Sequence, residues 1–221
     1  MSNLVIITSI IDTPKKPLSY SNTRSIFTRY ERFEQTKDTI QSIKKYIPNS
    51  KILLVECSAF SVHEQEYFNS NCDYIINLIR NIKEKNYIYS SAKAAGEGTM
   101  TISALRYIIV NNIQCRNLFK ISGRYFLNNN FNYSLFDNNN NIFKKIDYTS
   151  LFTGLYKIHY ETINSLLQFL LNNFDRMMNA EGYEAIFNDI QKDPNINKNL
   201  NIIDTVGLSG RVTVCGTMYN G

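Results

Sequence analysis

The chain opens on Leu4-Val5-Ile6-Ile7-Thr8-Ser9-Ile10-Ile11, a run rich in β-branched residues that Asp12 and Pro14 bring to an end. An apolar run without strict alternation is the pattern of a strand buried on both faces. Residues 12–28 are polar and read as a long loop. Phe33, Thr36, Ile40, Ile43 and Ile47 then recur at helical spacing, and Pro48-Asn49 stops the helix. A second buried strand is predicted over 51–57, a short helix over 62–69 and a weaker strand over 74–78. A polar loop follows at 83–93. From Glu97 through Met100, Ile102, Leu105, Ile108 and Ile109 the period is helical again, and 117–122 is a fourth strand. Strands separated by helices form βαβ units, whose crossovers require parallel pairing. Residues 1–125 therefore predict an open α/β sheet, mostly parallel and flanked by helices.

The remainder, 126–221, reads as the second half of the same single domain. Residues 128–141 hold two asparagine runs interrupted by Phe131, Tyr133, Leu135 and Phe136, the composition of a loop with docked aromatic side chains. A strand is predicted over 147–158, an apolar helix over 161–174 and another helix over 180–189. Two short strands, 200–206 and 211–215, flank Gly207 and Gly210.

Composition narrows the classes. A chain of 221 residues with 43% hydrophobic residues, 13 Phe and 15 Tyr has the means to bury a core, and 9 Gly with 4 Pro exclude collagen-like and Gly/Pro-rich disordered chains. The net charge is +5, and its cations are spread along the chain, which argues against a dedicated nucleic-acid binder. A mild positive balance also suits a pocket for an anionic small molecule. Cys57, Cys72, Cys115 and Cys215 form no close pair, and His63 and His159 complete no metal-binding spacing, so buried or half-buried thiols in a reducing compartment are expected. The first apolar run lacks the basic lead and cleavage site of a signal peptide, and no run approaches the ~20 residues of a membrane span. A cytoplasmic protein without a membrane span is expected.

In open α/β sheets ligands bind beyond the carboxyl ends of the strands. Here those ends carry Thr8 and Ser9, then Glu56-Cys57-Ser58, then Ser122-Gly123-Arg124-Tyr125. Lys93, Gly96 and Gly98 stand at a helix start, where free N–H groups favour anions. Their spacing is neither that of a P-loop nor of a dinucleotide fingerprint, and an ordinary cap and turn is the other reading. Arg124 suits bidentate capture of a phosphate, or pairing with a structural carboxylate. Gly123 permits close approach of backbone to ligand. Arg29 and Arg32 either turn toward the same crevice or stay on the solvated surface. Glu56 suits hydrogen bonding to a ribose or base. Glu181 and Glu184 lie three positions apart in a predicted helix, hence on one face; they are either a solvated face or the source of a general base.

The order of these parts resembles a known group. A first strand ending in Thr/Ser, Arg-Phe-Glu-Gln-Thr at 32–36, Ile-Leu-Leu-Val-Glu at 52–56, Gly96-Glu97-Gly98 and Phe-Lys-Ile-Ser-Gly-Arg-Tyr at 119–125 look like the small GT-A-fold glycosyltransferases of bacteria and large DNA viruses. Abundant Asn, Ile and Lys suggest an AT-rich genome, which agrees with a large-virus or a protist source, and a viral protein is expected. The resemblance implies a Rossmann-like nucleotide-binding sheet, a UDP- or GDP-sugar as donor, and a glycan or glycoprotein hydroxyl as acceptor. It places Thr8, Ser9 and Glu56 at the nucleoside, and Lys93, Gly96, Ser122, Gly123 and Arg124 near the diphosphate. Glu181 or Glu184 becomes the base of an inverting displacement. The family commonly carries Asp-x-Asp after the fourth strand to bind Mn²⁺ or Mg²⁺, whereas this chain has Ser122-Gly123-Arg124. Three alternatives follow: Arg124 and Lys93 supply the positive charge, an acid such as Asp137 or Asp147 comes from elsewhere, or the chain is a non-catalytic nucleotide- or glycan-binding protein.

Overall fold

The computed structural model describes residues 2–221. β1 (Asn3–Ser9) is buried along its whole length because the sheet is covered on both faces. Leu4 and Ile6 enter one core cluster and Val5 and Ile7 the other, so the strand's two-residue period divides its apolar run between two layers of helices.

α1 (Arg29–Tyr46) starts at a capping box in which Thr28 accepts from the Glu31 N–H while the Glu31 carboxylate accepts from the Thr28 N–H. It buries Phe33, Thr36, Ile40 and Ile43 on one side of the sheet. β2 (Ser50–Glu56), α2 (Val62–Asn71), with a second capping box from Ser61 and Glu64, and β3 (Tyr74–Asn77) complete two parallel crossovers. The polar segment expected as a loop contains a helix, α3 (Ile82–Ile88). Its cap is Asn81, and only Ile88 is buried, which left no apolar period to read. α4 begins at Lys93, four residues before its apolar pattern, and runs to Val110 (Lys93–Val110) beneath the opposite face.

β4 (Asn117–Ser122) returns to pair with β1 on the side away from β2. β5 (Tyr125–Leu127) follows. The Asn-rich stretch is irregular as expected, with Phe131 and Phe136 buried and stacked at 5.1 Å. β6 (Asn141–Asp147) and β7 (Ser150–His159) make a hairpin where one strand, 147–158, was expected; the outer half of β6 is solvent-exposed and lacks an apolar signature. α5 (Ile163–Asn172), α6 (Phe174–Met178), α7 (Tyr183–Asn188) and α8 (Pro194–Asn197) precede β8 (Leu200–Ile203). Of residues 211–215, expected as a strand, Arg211 ends β9 (Leu208–Arg211) and 212–215 lie in the turn before β10 (Met218–Asn220). Cys215 sits in that turn and is exposed, unlike buried Cys57 and Cys115 and half-buried Cys72.

The main sheet has the order β3-β2-β1-β4-β7-β6-β8, and β10-β9-β5 form a small antiparallel sheet. β3, β2, β1 and β4 are parallel, β7 opposes both β4 and β6, and β8 is parallel to β6. The order reverses between β1 and β4, and such a switch point opens a crevice at the carboxyl ends of the two strands. Among the described residues, no helix is long and apolar enough to cross a membrane.

Candidate functional site

The crevice is present. Thr8 and Ser9 from the end of β1, Ser122, Gly123 and Arg124 from the end of β4, and Lys93, Gly96 and Glu97 from the first turns of α4 face one cleft. Two loops cover it. Tyr20 and Arg24 come from the segment before α1, and Val212–Val214 from the turn after β9; the loops are joined where the Ile26 N–H donates to the Thr213 carbonyl at 3.1 Å. Arg24 fastens the first loop by donating to the carbonyls of Ile88 (3.0 Å) and Ser90 at the end of α3.

The strand tips are clamped by hydroxyls. The Gly123 N–H donates to the Thr8 carbonyl at 2.9 Å, and the Thr36 hydroxyl bridges Ser9 (2.8 Å) and the Gly123 carbonyl (3.0 Å). A Cβ on Gly123 would stand 2.9 Å from that of Ser9, so glycine is required for the two tips to touch. Gly96 likewise lets α3 approach, since a Cβ there would lie 3.1 Å from the Ile88 carbonyl oxygen. Gly96 thus lies within the first turns of α4, beyond the Ala92 cap, as a close-packing position that also lines the cleft, and it is neither cap nor turn.

Below the cleft floor, Lys120 is 1% exposed in the middle of an apolar strand. Its ammonium donates to the Glu97 carboxylate, to the Ser122 hydroxyl and to the Thr153 carbonyl, the last two at 3.0 Å. Glu97 also accepts from the Thr8 hydroxyl at 2.9 Å. Burial by itself raises the Glu97 carboxyl, but Lys120, Arg124 and the Thr8 hydroxyl outweigh it and hold the group at about 2. Burial lowers Lys120, opposed by Glu97. The pair is therefore internally neutralised, and the hydroxyls of Thr8, Ser9 and Ser122 are committed to protein partners.

The unmatched charge belongs to three other side chains. Arg124 makes one long hydrogen bond, 3.4 Å to the Tyr125 hydroxyl, and its buried Nε has no partner. Lys93 makes no hydrogen bond or ion pair among the described residues; burial and Arg124 lower its pKa. Arg32 is 6% exposed, against the surface reading, and donates to the Ile10 carbonyl and to Gln35. Burial and Arg124 bring it to about 10. Arg29 lies elsewhere, bound to Asp12 and Glu64.

Three expected residues, Glu56, Glu181 and Glu184, are not among those lining the cleft. Glu56 is completely buried, where its Oε1 accepts from the N–H groups of Ile11 (3.2 Å) and Cys57 (2.8 Å) and from the Ser58 hydroxyl (2.7 Å). It shapes the turn after β1. Glu181 precedes α7 instead of sharing it with Glu184, because the helix starts only at Tyr183, and it pairs with Arg176 at the surface. Glu184 accepts from the Thr153 hydroxyl at 3.1 Å, and its charge acts on Tyr20, Lys93, Lys120 and Arg124. Sequence reasoning missed Tyr20, Arg24, Glu97 and Lys120 as parts of the site. Only Lys120 carried a signal, since a lysine within a buried strand demands an anionic partner.

Burial pushes Glu56 up to about 7 against the hydrogen bonds that favour its ionised form. A folded-state value above the unfolded one means that the folded chain holds the extra proton, so stability falls as pH rises from about 4.5 to 7 and is level above. Glu56→Gln, which keeps the Oε1 acceptor, is expected to match the parent at pH 4.5 and exceed it by about 3 kcal/mol at pH 8. Urea midpoints at the two pH values check this; an equal effect at both would contradict it.

The donor set does not fit a divalent cation. Glu97, the one carboxylate lining the cleft, has its Oε1 held by Lys120 and by the Thr8 and Ser122 hydroxyls, and the residues that follow β4 there, Gly123 and Arg124, add no acid. Asp137 pairs with Arg116, and Asp147 accepts bonds within the β6–β7 turn. Among the described residues no three His, Cys, Asp or Glu side chains are grouped as metal ligands.

No protein-family model matches the sequence, and no curated protein sequence matches it. Solved structures do match the fold. The apo-form glycosyltransferase GlyE of Streptococcus pneumoniae TIGR4 aligns with a TM-score of 0.54 at 12% identity, over 92% of this chain and 45% of GlyE, so this chain spans less than half of that protein. A glycosyltransferase involved in the glycosylation of the major capsid of PBCV-1 aligns with a TM-score of 0.51 at 12% identity, over 98% of this chain and 94% of the other. With its seven-stranded, mostly parallel sheet between two helical layers, the chain has the GT-A-like, Rossmann-like fold of these glycosyltransferases.

Proposed function

We propose that the protein transfers a sugar from a UDP- or GDP-sugar to a hydroxyl of a glycan or glycoprotein, with inversion at the anomeric carbon. The observation that carries this reading is the set of Arg124, Lys93 and Arg32 facing a cleft at the switch point with more donors than protein acceptors. A diphosphate supplies the missing acceptors. As the bond from the anomeric carbon to the phosphate oxygen breaks, negative charge gathers on the leaving diphosphate, and fixed cations stabilise it without reorganisation. The acceptor oxygen forms the new bond from the opposite face, and its proton passes to the Glu184 carboxylate. The nucleoside lies against Thr8, Ser9 and Ile10, while Glu56 acts only by shaping the turn beside them. The glycosyltransferase neighbours support the reaction class.

Thermal unfolding with UDP, GDP, dTDP and their sugars tests the reading. One nucleotide series is expected to raise the midpoint saturably, a ligand at 100 times its Kd contributing about 2.7 kcal/mol. No response to any of them, with or without Mn²⁺, overturns it.

A further inference from the structure

We propose that this cleft holds the donor diphosphate without a divalent cation, Arg124 and Lys93 standing where a metal would neutralise the phosphates. The inference rests on the transferase reading and deepens it. Four cations, Arg24, Arg32, Lys93 and Arg124, line the cleft against one lining carboxylate, Glu97, which Lys120 already neutralises, and Glu184, which acts on Lys93 and Arg124 from outside the lining, offsets at most one of them. A bare nucleoside diphosphate is a multiply charged anion and complements that surplus. A metal–nucleotide complex brings its own positive charge beside Arg124 and meets a single lining carboxylate, Glu97, already paired with Lys120, whereas hard divalent cations seek several oxygen ligands.

The side chains also have the right donors. The Arg124 guanidinium, stacked 4.8 Å over the Tyr125 ring, is held in one plane with an unpartnered Nε, a geometry suited to two-point contact with phosphate oxygens. Lys93 supplies a point charge from the first turn of α4, and that helix start has no side-chain cap. The N–H groups there add to the same field.

Isothermal titration of UDP and GDP into the full chain, once in EDTA and once in excess MnCl₂, is the test. The same affinity in both is expected, with inorganic pyrophosphate competing in both. Arg124→Ala is expected to weaken nucleotide binding by about 10- to 100-fold in EDTA, and Arg124→Lys, which keeps the charge without the fork, by an intermediate factor. Circular dichroism verifies folding; should Arg124→Ala fail to fold, Arg124→Lys and Lys93→Gln carry the comparison. Binding seen only with Mn²⁺, or variants that bind in EDTA as tightly as the parent, overturns the inference and leaves the transferase reading standing. Absence of binding in both buffers overturns the two together.

Discussion

Replacing Glu184 by Gln is expected to lower kcat for sugar transfer by about 10²- to 10⁴-fold, the range for loss of a positioned general base, without weakening donor binding. Glutamine keeps the length of the side chain and the acceptor for the Thr153 hydroxyl, so the local structure is retained while the carboxylate proposed as the base is removed. Glu184 stands on α7, and its charge acts on Lys93 and Arg124. Glu181→Gln is the matched control. Glu181 is held by Arg176, which also binds Asp189, at the surface, and its replacement is expected to leave kcat unchanged and to alter stability by at most about 1 kcal/mol. Measured turnover of both variants separates the two carboxylates that the sequence pattern left equivalent. An unchanged kcat for Glu184→Gln removes it as the base. A parent protein that releases nucleotide no faster than buffer hydrolysis does is a binding protein instead.

The contrast between those glutamates shows what was legible. Their spacing suggested one helical face, but α7 starts after Glu181, so a boundary error of three residues merged two unrelated positions. β1, β2 and β4 were readable because strands buried on both faces carry long apolar runs. Their ends located Thr8, Ser9, Ser122, Gly123 and Arg124, all of which face the cleft. β6 was unreadable because its outer half meets solvent. The cover of the cleft was unreadable for a different reason: Arg24 reaches Ile88 at the end of α3 and Ile26 reaches Thr213, contacts made by loop residues distant in sequence with no periodicity to announce them. Glu56 misled because a carboxylate at a strand tip suits a ligand and a backbone turn equally, and only its burial separates the two.

Lys120→Met is expected to destabilise the protein by about 3 kcal/mol at pH 7, the low end for breaking a buried ion pair, because the Glu97 side chain keeps 17% exposure. The loss comes from the partner left behind. With Lys120 present, Glu97 is held at about 2, below its unfolded value, so the pair contributes stability that is full above about pH 4.5 and disappears as pH falls toward 2. Without Lys120 the remaining burial raises Glu97, the folded chain then holds the extra proton, and the deficit of the variant shrinks as pH falls from 7 to 4.5. Adding Glu97→Gln removes the uncompensated charge, and the double variant is expected to recover part of the loss at pH 7 while the single variant does not. Urea midpoints for the parent, the two single variants and the double variant measure the coupling. A single Lys120→Met variant within about 1 kcal/mol of the parent means that Glu97 is solvated through the cleft. In that case Glu97 also offsets the cations above it, and the positive surplus on which diphosphate binding depends is smaller than the side chains lining the cleft imply.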